Sequence, residues 1–280
     1  MGKQDSTKTR VVPIFDQLYM NDRSGQSWIR KLISLPVGGN SVLIPVDCDL
    51  TIQEAKWGDE EKEFDPPVGL LSWLIRHPRL PLSGTLSSDP NKARKRSEWI
   101  AGSETRLHEG LALLRSNPKR EDWHLFEGQT QPDVFLQTPD IVVVIEGKRT
   151  EPRPTINTKW MAGRHQMLRH IDCVWEIAGN RKIIGFFIVE GGGNDCLVPK
   201  AWIEYARQTV APDAVASSLP HRGPEEQKGI ASCFAGVTTW QRLCKEFNQN
   251  WEALPDLSDH PKPANEYHLK TGQREQRLGH

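Results

Sequence analysis

Three charged residues near the middle of the chain have the types and spacing of a hydrolytic metal site. Asp133 follows a proline, and after twelve further residues Glu146 and Lys148 flank a single glycine. Two carboxylates can hold Mg²⁺, which keeps several waters and takes phosphate oxygens as further ligands. The metal lowers the pKa of a bound water, and a nearby lysine can orient that water or stabilise the developing anion. These residue types would therefore serve phosphodiester hydrolysis.

A strand hairpin would bring these residues together. Residues 141–145 are an unbroken run of β-branched side chains, and turn-forming residues 138–140 precede them. Side chains alternate between the two faces of a strand, so Glu146 and Lys148 share one face. The pattern therefore predicts a carboxylate and an ammonium side by side at the end of a buried strand.

The position of the turn decides which residues face each other across the hairpin. A turn centred near Thr138 places Asp133 opposite residues 143–144, within diagonal reach of Glu146. Asp140 is the competing carboxylate, but it precedes Glu146 by six residues on the same strand, about 20 Å at about 3.3 Å per residue. These two carboxylates cannot bind one metal, so we favour Asp133.

The pattern PD, twelve residues and then EGK resembles the PD-(D/E)xK nuclease superfamily, which has the restriction-endonuclease-like fold. The resemblance covers about residues 91–189. It implies that Asp133 and Glu146 are metal ligands and that Lys148 is catalytic, with Mg²⁺ as cofactor and Mn²⁺ as a substitute. The superfamily often carries QxxxY in the next helix, and here that spacing gives Gln166 but a histidine instead of the tyrosine. Gln166 is a candidate for positioning water or phosphate, with an ordinary surface glutamine as the alternative.

A predicted helix before the hairpin supplies a third candidate ligand. The segment 91–116 carries an apolar stripe with helical spacing. Glu104 lies within that stripe, where a carboxylate without a partner is costly. The resembled superfamily often takes a further acidic ligand from this helix. The alternative is a helix-edge glutamate that pairs with Arg106 or His108.

The charge of the whole chain does not indicate nucleic-acid binding, because 36 Lys and Arg balance 36 Asp and Glu. From residue 148 to residue 182, however, eight bases accompany three acids, which predicts local positive charge around the site. Four more bases begin the 91–116 helix, where they are either solvated or, as we favour, in contact with phosphate: Lys92, Arg94, Lys95 and Arg96. The acidic loop 59–65 would repel nucleic acid, so we place it away from the substrate face.

The order of predicted elements indicates an α/β fold with a mixed central β-sheet flanked by helices. Besides the hairpin, the pattern predicts strands over 123–127 and 182–189 and a helix over 158–178. Three regions follow: an N-terminal accessory region, 1–88, the nuclease-like core, 89–250, and a C-terminal tail, 251–280. Residues 1–10 are polar and expected to be loose.

Composition restricts the class of protein. Five cysteines without CxxC spacing argue against a disulfide framework or a zinc ribbon and fit a reducing cytoplasm. No signal peptide or membrane span is visible in the sequence. We therefore expect a cytoplasmic protein without a membrane partner, and the resemblance implies nucleic acid as its partner, DNA being favoured. Many enzymes of the resembled fold pair two active sites, so the resemblance allows a homodimer.

The same residues have two other interpretations. Glu-x-Lys at a strand end is usually a weak surface ion pair, and the motif would then be an accident in an unrelated α/β protein. Alternatively, the fold serves as a non-catalytic nucleic-acid-binding or protein-interaction module, because fold does not determine function. The intact set of Asp, Glu and Lys favours the enzyme.

Overall fold

A six-stranded mixed sheet forms the centre of the structure, a computed structural model that describes residues 6–116, 122–191 and 196–255. The strands of these ranges are β1 (Val37–Gly38), β2 (Glu54–Trp57), β3 (Val134–Gln137), β4 (Ile141–Gly147), β5 (Asn157–Thr158), β6 (Met161–Ala162), β7 (Lys182–Val189) and β8 (Phe234–Thr239). The central sheet has the order β1-β8-β7-β4-β3-β2, and β5 and β6 form a separate hairpin. Strands β4, β7 and β8 are parallel, and the other pairings are antiparallel.

Helices cover both faces of the sheet. They are α1 (Val12–Asn21), α2 (Ile29–Ile33), α3 (Val68–Arg76), α4 (Pro90–Ile100), α5 (Glu104–Leu113), α6 (Gln166–Trp175), α7 (Lys200–Thr209), α8 (Pro212–Ser218), α9 (Pro224–Ser232) and α10 (Trp240–Glu246). The predicted α/β class with a mixed sheet is confirmed. None of the helices in the described ranges is both long enough and apolar enough to cross a membrane.

The β3–β4 hairpin forms as predicted, but its turn lies further along the chain than Thr138. The Thr138 amide donates to the carbonyl of Ile141 at 2.9 Å, and the Thr138 hydroxyl accepts from the Ile141 amide at 3.0 Å. The two residues between them, a proline and an aspartate, therefore form the turn. The resulting register pairs Val134 with Ile145.

The predicted alternation along β4 is confirmed. Ile141, Val143 and Ile145 pack in one apolar cluster, together with side chains of α1 and α2. Val142 and Val144 pack in the cluster on the other face, against α6. Both faces of β4 are buried, which explains why residues 141–145 are all apolar and why Glu146, at the end of the strand, is a buried carboxylate.

The predicted helix over 91–116 is two helices, so this prediction is wrong. Gly102 has a φ of +85°, which a helix interior does not allow, and Ser103 starts a new helix by accepting from the Arg106 amide. Because the second helix has its own phase, the apolar stripe that included Glu104 is not continuous.

The predicted helix over 158–178 begins only at Gln166. Residues 157–162 instead form the β5–β6 hairpin, in which Thr158 pairs with Met161. The segment 123–127, predicted as a strand, has no strand pairing and begins with a turn. The strand predicted over 182–189 is confirmed as β7.

The N-terminal region contributes to the same sheet as the core. Strands β1 and β2, both within residues 1–88, are its two edge strands. Residues 6–10, expected to be loose, are helical and mostly buried, and the π-helical turn Thr7–Val11 leads directly into α1. Residues 1–5 and 256–280, the latter most of the predicted tail, lie outside the described ranges.

Candidate active site

Asp133 and Glu146 face each other at one end of the β3–β4 hairpin. The pairing of Val134 with Ile145, continued by one residue, places Asp133 directly opposite Glu146. This arrangement corrects the expected register, which put Asp133 opposite residues 143–144. Asp133 Oδ2 also accepts from the Gly147 amide at 2.7 Å, which orients the carboxylate towards the end of β4. The two carboxylates that the sequence predicted to converge are therefore neighbours on one face of the sheet.

Three side chains hold the Glu146 carboxylate. Lys148 Nζ donates to Oε1 at 2.9 Å, and Gln166 Nε2 donates to the same oxygen at 2.7 Å. His170 Nε2 lies 3.0 Å from Oε2. Gln166 and His170 are four residues apart on α6 and therefore project from one face of that helix. The structure thus brings four predicted site residues together and adds the histidine that replaces the tyrosine of the resembled motif.

His170 is itself held by a second hydrogen bond. Its Nδ1 lies 2.8 Å from the hydroxyl of Thr130. Burial acts to lower the pKa of His170 and outweighs the opposite effect of Glu146. The pKa of His170 therefore lies below its usual value, and the ring is neutral at pH 7. A carboxylate only accepts hydrogen bonds, so Nε2 donates to Glu146 and Nδ1 accepts from Thr130. Sequence reasoning did not find Thr130, because no motif marks it.

The two carboxylates have opposite pKa shifts. Burial and the charge of Glu146 raise the pKa of Asp133 well above its usual value. Burial also acts to raise the pKa of Glu146, but the hydrogen bond from His170 and the charge of Lys148 outweigh it, and the pKa lies below its usual value. Burial alone would lower the pKa of Lys148, but Glu146 raises it. A divalent cation beside both carboxylates would offset the burial and the repulsion that raise the pKa of Asp133.

The residues present fit Mg²⁺. Within the described ranges, no three His, Cys, Asp or Glu residues are grouped so that they could hold a metal alone. Mg²⁺, however, typically takes one or two carboxylates and completes its shell with waters and phosphate oxygens. Gln166 Oε1 is buried beside Glu146 without a hydrogen-bond partner, which is an acceptor that a metal-bound water could satisfy. Asp133 and Glu146 would hold the ion.

Glu104 does not belong to this group of residues. It is exposed at the first position of α5, a helix that packs with α3 and α4 in a separate apolar cluster. Arg106, one of the two partners that the alternative interpretation offered for Glu104, pairs instead with Glu98 and Glu109. The expectation that Glu104 faces the core is wrong for the reason given above, the break in the predicted helix.

Glu61 is the acidic residue that sequence reasoning placed wrongly. Strand β2 pairs with β3, and after it Phe64 pairs with Thr130, so the chain between them runs beside Asp133. The negative charge of Glu61 contributes to the raised pKa of Asp133. The acidic loop 59–65 therefore lies next to the site and not away from it. Only the pairing of β2, a four-residue strand of mixed polarity, could have indicated this.

The N-terminal turn covers the Asp133 side of the site. Thr7 Oγ1 lies 3.5 Å from Asp133 Oδ1, and Arg10 pairs with Glu190 at 3.1 Å. Asp133, Glu146, Lys148 and His170 are all buried, and Gln166 is the most exposed of the five residues. Gln166 is therefore the residue of this group that solvent reaches most.

A buried ion network fixes the start of α6. The Arg164 guanidinium is fully buried and donates to Glu127, to Asp172 at 2.8 Å and to the carbonyl of Ser218 at 2.9 Å. Since α6 carries Gln166 and His170, this network positions two of the three groups that hold Glu146.

The basic residues at the start of α4 are largely engaged within the protein. Arg94 pairs with Glu98, Lys95 pairs with Glu109, and Arg96 is buried and donates to three backbone carbonyls. Arg96 is therefore a structural residue. We favoured the interpretation that these four bases contact phosphate. Three of them have partners within the protein instead, so they do not support it.

No family model matches this chain, and no curated protein or solved structure matches it either. The resemblance to the PD-(D/E)xK nucleases therefore stays a prediction from the sequence motif.

Proposed function

We propose that this protein is a metal-dependent nuclease of the PD-(D/E)xK type, which hydrolyses phosphodiester bonds in nucleic acid, DNA being favoured, with Mg²⁺ as cofactor and Mn²⁺ as a substitute. One observation carries the proposal. Asp133 and Glu146 are opposed on neighbouring strands, and Lys148 donates to Glu146 at the same strand end. Like charges buried this close are costly to a fold and are useful when a cation binds between them.

Each residue has a distinct role in the proposed site. Asp133 and Glu146 hold the cation, which when bound supplies a water of lowered pKa and neutralises charge on the phosphate. Lys148 orients the attacking water or stabilises the anion that forms. Gln166 and His170 keep the Glu146 carboxylate in one orientation through their hydrogen bonds.

The test is cleavage of labelled single- and double-stranded DNA and RNA in Mg²⁺, Mn²⁺ or EDTA. We expect metal-dependent cleavage that Lys148→Ala and Asp133→Asn each reduce by about 100-fold or more, since each removes a group at the reacting phosphate. Asp140→Asn is the matched control, because Asp140 lies at the other end of the same hairpin, where it accepts from the Asp49 amide.

Two outcomes would contradict the proposal. Wild-type rates in the Lys148→Ala and Asp133→Asn variants would exclude this mechanism. Gel shifts without cleavage of any substrate would favour the non-catalytic nucleic-acid-binding module on the same fold.

A further inference from the structure

Two segments, the second of which leads into α6 and the candidate site, carry positive charge without any acidic residue. Residues 76–88 contain two arginines and no acid, and residues 152–170 contain four bases and no acid, in a chain of zero net charge. The structure joins the two segments, because the Leu82 amide donates to the Lys159 carbonyl at 2.7 Å. We call residues 76–82 and 153–159 together the basic surface.

Four cations of the basic surface are available to a ligand. Arg76, Arg153 and Lys159 are exposed, and Arg79 is partly exposed. In the described part of the chain, no carboxylate forms an ion pair with any of them, whereas Arg164 and Arg169 of the second segment are paired with Glu127. A surface that keeps its cations unneutralised is complementary to a polyanion.

Apolar and aromatic groups alternate with these cations. Leu80, Leu82 and Ile156 are 69%, 53% and 43% exposed. The rings of Trp73 and His77 are stacked at 4.2 Å, and the Arg79 guanidinium lies 4.7 Å from the Trp73 ring. Unpaired bases offer apolar faces to such groups, while a duplex hides its base faces within the stack. The combination therefore fits a single strand better than a double helix.

The basic surface is connected to the candidate site through the first residue of α6. The Thr155 carbonyl accepts from the Gln166 amide at 2.9 Å, and the Gln166 side chain donates to Glu146. A strand lying on residues 153–159 would thus reach the candidate site from the side on which Gln166 is exposed.

We propose that the basic surface binds an unpaired strand of nucleic acid and leads it to the candidate active site. This inference rests on the proposed function for its catalytic consequence, but binding itself needs neither metal nor cleavage. The backbone phosphates would contact the four cations, and the bases would lie against the leucine and isoleucine side chains.

The test measures binding by fluorescence anisotropy in EDTA, with a labelled oligonucleotide as a single strand and as its duplex. The protein carries Lys148→Ala so that it cannot cut. We expect tighter binding of the single strand. The double variant Arg153→Glu/Lys159→Glu should weaken that binding by about tenfold or more and reduce the slope of log K against log salt by about 1.4, since each lost phosphate contact on a single strand contributes about 0.7.

Matched variants separate charge from base contact. Arg207→Glu/Lys228→Glu also reverses two exposed cations, on α7 and α9 outside the basic surface, and should leave binding unchanged. Leu82→Ser/Ile156→Ser should weaken single-strand binding by about fivefold and leave the salt slope unchanged. If the charge reversal lowers the melting temperature, Arg153→Gln/Lys159→Gln replaces it.

The outcomes distinguish this inference from the proposed function. Loss of single-strand binding in the Arg153/Lys159 variants, with no substrate cut by the wild type, would support the binding surface and refute the nuclease. Metal-dependent cleavage with unchanged binding in those variants would refute the surface and keep the nuclease. Equal affinity for single strand and duplex, insensitive to Leu82→Ser/Ile156→Ser, would refute the preference for an unpaired strand.

Discussion

Replacing Arg164 with methionine should destabilise the protein more than any surface charge replacement. Methionine keeps most of the apolar length of the side chain and removes the guanidinium. The side chains of Arg164, Glu127 and Asp172 are 0%, 1% and 0% exposed, so the variant leaves two buried carboxylates without their shared cation. The variant therefore tests whether this network holds the start of α6 in place.

The expected loss of stability depends on the cations that still pair with Glu127 and Asp172 in the variant. Removing one partner of a buried ion pair costs about 3–5 kcal/mol. Glu127 keeps Arg169 at 3.2 Å and Asp172 keeps Arg222 at 2.9 Å, which places the expected loss at the lower end. A loss of about 3 kcal/mol corresponds to a decrease of about 6–12 °C in the melting temperature of a chain this long.

The loss should also depend on pH. Burial alone would raise the pKa of Asp172, but His221, whose Nε2 lies 3.4 Å from Oδ1, and the charges of Arg164 and Arg222 outweigh it and hold the pKa below its usual value. A carboxyl of this kind stabilises the fold above its unfolded pKa, and this contribution is lost as pH falls. Without Arg164 the buried Asp172 carboxyl protonates at higher pH, so the difference between variant and wild type should shrink from pH 7 to pH 5.

Thermal unfolding followed by circular dichroism at pH 7 and pH 5 measures both effects. Arg94→Met is the matched control, because Arg94 is in an exposed ion pair with Glu98 and should cost less than about 0.5 kcal/mol. A decrease in melting temperature below about 2 °C for Arg164→Met, or a difference from wild type that grows at pH 5, would refute this account of the network.

Three further predictions concern a buried histidine, a glycine and the acidic residues around the site. Burial lowers the pKa of His165 from 6.5 to about 4, so stability should be lost as pH falls from 6.5 towards 4. Because one pKa unit corresponds to about 1.4 kcal/mol, this histidine accounts for about 3 kcal/mol of the loss, and the His165→Asn variant should not show that part of it. Equal urea midpoints for both proteins at each pH would contradict this. A Cβ on Gly147 would lie 2.7 Å from the Trp240 ring, so Gly147→Ala should lower the free energy of unfolding by about 1–3 kcal/mol, and a wild-type urea midpoint would count against the packing argument. Glu61→Gln should raise the Mg²⁺ concentration needed for half-maximal cleavage, while Glu104→Gln should not, and the reverse pattern would restore the sequence-based choice of ligand.

The elements around the candidate site were predictable where local chemistry decides them. The β-branched run of β4 and the period of two along it are properties of consecutive residues, and both the strand and its two buried faces are present in the structure. The convergence of Asp133, Glu146 and Lys148 was predictable for the same reason, since a short hairpin leaves few other arrangements.

The register of that hairpin depended on one turn. In the structure the turn is formed by the proline and aspartate that follow Thr138. Asp133 is therefore directly opposite Glu146, two or three positions along β4 from where the sequence placed it. A shift of this size changes which side chains are neighbours without changing the hydrophobic pattern by which the strands were recognised.

The remaining features of the site were decided by contacts between residues distant in the chain. Glu61 lies beside Asp133 because an edge strand pairs with β3, and His170 reaches Glu146 because α6 packs over the sheet. The N-terminal turn is polar in sequence but buried in the structure, where Arg10 pairs with Glu190, 180 residues away. The sequence by itself determined the strands, the turn residues and the types of the reacting groups. Tertiary structure alone decided that Glu61 and His170 lie beside these groups and that Glu104 does not, because pairing of distant segments depends on packing that no local pattern encodes.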